Sequence, residues 1–232
     1  INVRSPVPVC IVTIWGANVF GWIGNWDAVE ERADRLIAYA SKYSLGPHIA
    51  VGNGMKGAVL INRGKIEPGV ELLRAALARL RADHYELYTG GLCLALADGL
   101  GASGRLNEAM AALDDTIAIV NANGGSLDLP ELLRTKGTLL ARAGDPVAAE
   151  ENLRNSLALA RSHTALSLQL RTAMSVARLK IDQGDPGEAQ AMLAEIYGRF
   201  TEGFDTADLR MAKGLLNEMG PASISLPKIS SA

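Results

Sequence analysis

The chain has 232 residues, 21% of them charged, and a formal net charge of -2. With a pI near 6.0, this balance excludes a bulk surface built for polyanions, so direct nucleic-acid binding and attachment to an anionic membrane are not expected. Cys10 and Cys93 both stand in apolar helical stretches, and they read as free, buried thiols of a reducing, cytoplasmic compartment.

The first pattern is an apolar stretch over residues 7–23. It is interrupted by Pro8, Thr13, Gly16, Asn18 and Gly21 and falls in the register of the repeat described below, so it is read as neither a secretory leader nor a membrane span. It reads as a helix whose Trp15, Phe20 and Trp22 call for a covering element, because terminal repeats normally carry a polar face. On this reading the chain is a C-terminal fragment of a longer protein, and a homodimer formed through its uncovered first repeat would be an artefact of truncation.

Gly24 ends that helix and opens a series. Gly64, Gly104, Gly144 and Gly184 follow at intervals of 40 residues, each with a second helical pattern after it. A period of this length marks a repeat architecture whose unit is helix, tight turn, helix. The units run over residues 8–45, 47–84, 86–124, 130–164 and 166–203. Seven residues before each glycine stand Ala17, Gly57, Ala97, Gly137 and Ala177, all small enough to let two helix axes approach. Nine residues after it stand Ala33, Leu73, Leu113, Leu153 and Leu193. Pro47, Pro130, Pro146 and Pro186 suit first-turn helix positions. A last helix over 205–219 with Thr206 as N-cap closes the array, and 220–232 has the composition of a flexible tail.

These positions resemble those of tetratricopeptide (TPR) repeats. The expected fold is all-α, a right-handed superhelical solenoid of five TPR-like hairpins plus a capping helix, forming one domain over residues 1–219.

No motif for catalysis survives inspection. Gly52, Gly54 and Gly57 spell GxGxxG, but a dinucleotide site needs a preceding strand, and here Pro47 already starts a helix. No phosphate-cradling GxxxxGK[ST] occurs. Gly101, Ser103 and Gly104 lack the spacing of a nucleophile elbow. His48, His84 and His163 have no ligand spacing and read as surface or capping residues. Neighbouring acids such as Glu30 and Glu31 or Glu150 and Glu151 do not face one another on a helix. The chain therefore reads as a non-enzyme without cofactor or metal.

The working surface is expected on the first helices of the units, at positions 13, 10, 6, 3 and 2 before each turn glycine. In the fourth and fifth units these include Glu131, Arg134, Thr138, Arg142, Arg171, Met174, Arg178 and Asp182, and in the first two Ile11, Ile14, Asn18, Trp22, Val51, Ile61 and Asn62. Four arginines suit carboxylate or phosphate recognition, which points to an acidic peptide or domain edge as partner. The competing reading is an internal salt network in which Glu131, Asp182 and neighbouring acids neutralise those arginines.

The ending YGRFTEGFDTADL, residues 197–209, followed by RMAKGLLNEM, resembles the C-terminal end of bacterial multidomain regulators. In these a winged-helix DNA-binding or nucleotide cyclase domain precedes a signal-transduction ATPase module and TPR-like repeats. ELLRTKGTLLARAGD at 131–145, ELYTGGLCLALADGLGASGRLNEAM at 86–110 and HIAVGNGMKGAVLINRG at 48–64 resemble the same family. The resemblance implies a sensor or scaffold arm of a transcriptional regulator, with the winged-helix type favoured over the cyclase type. Its partner would be a protein, an inducer or the ATPase module of the parent chain. The DNA-binding and Walker motifs of such proteins do not occur in these residues, so neither activity transfers to them. A free-standing TPR adaptor and a small-molecule receptor are the alternatives.

Overall fold

A computed structural model of the chain describes residues 5–124 and 127–220. Among the described residues it contains eleven α-helices and no strand. In chain order they are α1 (Val7–Trp22), α2 (Trp26–Lys42), α3 (Gly46–Asn62), α4 (Ile66–Ala82), α5 (Thr89–Ala102), α6 (Leu106–Ala122), α7 (Leu129–Arg142), α8 (Pro146–Ser162), α9 (Leu166–Asp182), α10 (Gly187–Tyr197) and α11 (Ala207–Met219). The first ten pair as five hairpins, and α11 packs on α9 and α10. The tail expected at 220–232 lies outside the described residues apart from Gly220.

The five turn glycines all take positive φ, from 77° at Gly24 to 88° at Gly144. Past each of them the chain reaches back to the helix it has left. Asn25 N–H donates to Phe20 O at 2.9 Å, Lys65 to Leu60 at 2.9 Å, Arg105 to Leu100 at 2.8 Å, Asp145 to Leu140 at 3.0 Å and Asp185 to Lys180 at 3.0 Å. This is the Schellman closure, which needs a left-handed residue at the turn. Three of the four junctions between hairpins use the same device without glycine, and the fourth has Gly124 at φ 89°. Ser44 (φ 56°), His84 (φ 50°) and Thr164 (φ 52°) are left-handed, and Leu45, Tyr85 and Ala165 donate to Ala40, Leu80 and Ala160. The chain is thus punctuated twice per 40 residues, and only the glycine set stands out in the sequence.

Asn25 and Asp145 cap α2 and α8, accepting from Ala28 N–H at 3.1 Å and Ala148 N–H at 3.0 Å. Thr206 occupies the N-cap position of α11, but its hydroxyl donates to Gly203 O at 2.7 Å and makes no cap bond.

Successive first helices touch one another (α1 with α3, α3 with α5, α5 with α7, α7 with α9), whereas the second helices α2, α4, α6, α8 and α10 do not. An array whose first helices are neighbours and whose second helices are spread apart must curve, with the first helices lining the concave side. The three glycines of GxGxxG all lie within α3, and each is a point of close approach. A methyl group at Gly52 would lie 2.6 Å from Ile37 Cγ1, at Gly54 2.7 Å from Leu92 Cδ1, and at Gly57 2.9 Å from the Gly69 carbonyl. The motif is used up by helix packing, which lets α2, α4 and α5 close around α3.

The core follows this layering. Cys10, Ile14, Leu36, Val51, Leu73, Leu92, Leu113 and Leu132 belong to one buried cluster, and Leu170, Leu193, Leu209 and Leu215 to a second. Ile14 and Val51, expected on the groove, are fully buried instead, and Met174 is 4% exposed. The groove-facing rule therefore fails wherever an apolar side chain can turn into the core, whose burial is worth about 1.5–3 kcal/mol per large side chain.

Candidate interaction groove

The concave side encloses a cavity of about 800 Å³. Trp15, Asn18 and Trp22 of α1 form one wall, Met55 and Ala58 of α3 contribute to the floor, and Leu94, Ala95 and Asp98 of α5 stand opposite. Beyond them the groove continues past Asp128 and Glu131 to Arg171. Small residues on α3 make the depression, since Gly54 lets Leu92 approach.

The two walls are tied together. Tyr88, left-handed at φ 73° as the N-cap of α5, donates its phenol hydrogen to Asn18 Oδ1 at 3.2 Å. Burial raises the Tyr88 pKa above that of a free phenol, with Asp128 adding to it, so the hydroxyl stays a donor across the physiological range.

The carboxylates set the character of the groove. Asp98 is exposed toward the groove, and desolvation by the protein crowded around it pushes its carboxyl up to about 6, against the pull of Arg134 and with the push of Glu131. Asp128 is likewise raised by burial and then by Glu131. Glu86 is exposed at the rim. Glu131, with only 13% of its side chain exposed, receives Arg134 Nη2 at 3.0 Å and Arg171 Nη1 at 3.8 Å.

The arginines are largely committed. Arg134 also reaches Ser175 Oγ at 3.4 Å; burial works against its cation, but Glu131, Asp98 and Asp208 outweigh that and hold its pKa above the ordinary value. Arg171 Nε donates to Asp208 Oδ2 at 2.6 Å, which ties α9 to the capping helix. Arg142 Nη2 donates to the Gly101 carbonyl at 2.8 Å, and Thr138 Oγ1 to the Arg134 carbonyl at 3.1 Å. Arg134, Thr138 and Arg142 share a small cleft of about 90 Å³ with Asp98. Arg178 is exposed on α9 with no ion pair among the described residues, and it lines neither cavity; the same holds for Asn62 at the end of α3.

Asp98 is the groove residue that sequence reasoning passed over. It stands six residues before Gly104, the register position of Asn18, Thr138 and Arg178, so the spacing rule applied to the third unit would have found it. His48 was misread. It is 4% exposed, its Nε2 lies 3.2 Å from the Tyr85 hydroxyl, its Nδ1 has no partner, and burial lowers its pKa. The neighbouring acids each bind a cation of the next helix in the chain, Glu30 of α2 to Arg63 at the end of α3 at 2.8 Å and Glu150 of α8 to Lys180 of α9 at 2.7 Å. Cys10 and Cys93 are free and buried, and burial raises the pKa of both thiols.

Among the described residues no group of side chains could hold a metal ion and no helix is long and apolar enough to cross a membrane. No protein-family model matches the chain, and no curated protein matches it. Solved structures do. A Podosopora anserina protein described as a kinesin light chain with nearly identical TPR-like repeats is 18% identical, with a TM-score of 0.58 over 84% of this chain and 96% of that one. A single-substitution variant of it gives 0.59 over 85% and 96%, again at 18% identity. At that identity the likeness establishes the fold, and the chain is a TPR-like helical repeat array.

Proposed function

We propose that the chain is a non-catalytic protein-interaction arm whose concave groove takes an extended or helical segment of a partner protein bearing basic and apolar side chains. The observation that carries this reading is the charge of the groove: Glu86, Asp98, Asp128 and Glu131 line it, while the arginines at its far end are bound to Glu131 and Asp208 within the chain. A raised carboxyl such as Asp98 gains most from an incoming cation, because the cation restores the charge stabilisation that burial removed. Trp15, Trp22 and Met55 offer the apolar and aromatic surface that anchors interface side chains. An acidic partner, which the arginines point to in isolation, would meet these carboxylates across the groove, where Arg134 and Arg171 are already bound within the chain.

The segments that resemble the C-terminal repeats of ATPase-linked bacterial regulators support a setting for this arm. In that setting the chain works in the cytoplasm as the sensor or scaffold portion of a transcriptional regulator, and the groove binds a partner or the ATPase module of the parent.

Tryptophan emission tests the binding reading directly, since Trp15 and Trp22 line the cavity. A short peptide alternating lysine and leucine is expected to shift the emission at low salt, and its glutamate counterpart is not. Asp98→Asn is expected to weaken the basic peptide by about tenfold, the scale of one charge-assisted contact. Tighter binding of the acidic peptide, lost in an Arg134→Ala, Arg142→Ala, Arg178→Ala triple variant, would overturn this reading in favour of an anion-binding groove.

A further inference from the structure

Among the described residues, Arg171 is the one lysine or arginine on the wall of the concave cavity, which it shares with the carboxylates Glu86, Asp98, Asp128 and Glu131. The balance of charge in the groove therefore turns on how this guanidinium is held. Its side chain is 23% exposed, so its charge is screened by water only in part.

Arg171 stands between two acids on neighbouring helices. It holds the register position on α9 that Glu131 holds on α7, thirteen residues before the turn glycines Gly184 and Gly144. α11 packs on α9 as each first helix packs on the next, and Asp208 in its first turn brings a second carboxylate to Arg171. The two contacts are unequal. Arg171 Nε donates to Asp208 Oδ2 at 2.6 Å, whereas its Nη1 lies 3.8 Å from Glu131 Oε2, beyond hydrogen-bond distance. Glu131 is already held by Arg134, whose Nε and Nη2 donate to its two oxygens at 3.1 Å and 3.0 Å. Asp208 itself does not line the cavity.

We infer, resting on the reading of the groove as a site for basic segments, that Asp208 is the positioning residue behind that preference. By holding Arg171 it neutralises the cation of the wall, and the carboxylates are left to select the ligand. Without Asp208 the guanidinium stands unneutralised on the wall, 3.8 Å from a carboxylate that an incoming lysine would otherwise engage. The relation is reciprocal, because a ligand whose affinity depends on the docking of α11 must shift that docking by the same factor. A basic segment in the groove repels Arg171 towards Asp208 and so tightens α11 against α9. The capping helix is thus the element that sets the groove's charge preference and responds to its occupant.

The peptide alternating lysine and leucine, titrated at low salt by tryptophan emission, tests this on the intact chain. Asp208→Asn is expected to weaken its binding by about threefold, the scale of a partly screened ion pair, and Asp208→Glu to leave it at the wild-type value. Adding Arg171→Gln to Asp208→Asn is expected to restore the wild-type affinity, because the pair loses one charge of each sign. A merely structural loss would not be restored by removing a second side chain, so an affinity that stays low in the double variant overturns the inference. A wild type that does not bind the lysine peptide brings down the groove reading and this inference together. A wild type that binds it, and binds it equally well after Asp208→Asn, brings down this inference alone. Should the variants fail to fold, hydrogen exchange on the wild type supplies the second measurement. Saturating lysine peptide is expected to slow the amides of α11 by about threefold, and unchanged exchange in the bound chain overturns the proposal.

Discussion

The Tyr88 hydroxyl donates to Asn18 Oδ1 at 3.2 Å, joining residues 70 apart and linking the first hairpin to the third. The bond closes one end of the groove and holds its two walls at a set separation. Tyr88→Phe leaves the Asn18 oxygen without this donor and is expected to cost about 1 kcal/mol. Urea unfolding of Tyr88→Phe, Asn18→Ala and the double variant checks it, because the two losses should not add if the residues act through one bond.

At Gly137 a methyl group would lie 2.9 Å from Leu153 Cγ and 3.0 Å from the Ala149 carbonyl. Alanine there should fail to deliver the gain of roughly 0.5–1 kcal/mol that replacing a helical glycine normally brings. Gly137→Leu is expected to destabilise by about 1–3 kcal/mol through overpacking between α7 and α8. An unchanged denaturation midpoint for the leucine variant would contradict this packing.

Thr164 holds a left-handed backbone, φ 52°, at a position where its β-branched side chain is disfavoured. Thr164→Gly is expected to stabilise by up to about 1 kcal/mol, the relief being partly offset by the greater chain entropy of glycine. The reverse change at the equivalent glycine turn, Gly144→Thr, should cost about 1–2 kcal/mol. Thermal unfolding of the two variants tests whether both turns of the repeat obey one backbone rule.

Asp98 and His48 bend the stability curve in opposite directions. The Asp98 pKa is raised to about 6, so its contribution favours folding at acid pH and is lost as pH rises through about 6. Asp98→Asn should therefore raise the unfolding midpoint at pH 7 and leave it unchanged near pH 4, at the ordinary carboxylate pKa. The His48 pKa is lowered by burial, so its contribution is present above the ordinary imidazole value near 6.5 and is lost as pH falls below that. His48→Gln should flatten that acid-side loss. Midpoints measured for both variants across this range separate the two groups, and parallel curves for wild type and either variant would refute the corresponding assignment.

Peptide binding at Asp98 carries its own pH signature. A cation in the groove is held by the ionised carboxylate, so affinity for the basic peptide should fall as pH drops through about 6. Asp98→Asn should bind weakly at every pH, and a titration of affinity against pH checks both.

Local backbone rules and helical spacing were enough, from the residues alone, to place the array. A left-handed turn that glycine satisfies, a small residue seven before it and an alanine or leucine nine after it are constraints written within a 40-residue window, and Gly24 to Gly184 display them openly. The left-handed Ser44, His84 and Thr164 stayed hidden because their conformation is imposed by the packing of neighbouring hairpins on residues with no such preference. The pairing of Arg134 with Glu131 lies within one helical turn, so the sequence could offer it as a competing account of the arginines. Arg171 with Asp208, Tyr88 with Asn18 and the raised Asp98 depend on distances across hairpins and on how much water the curved wall excludes. The residues determined that a groove would form. The tertiary structure decided which charges face it, because only the folded chain brings remote cations and anions together.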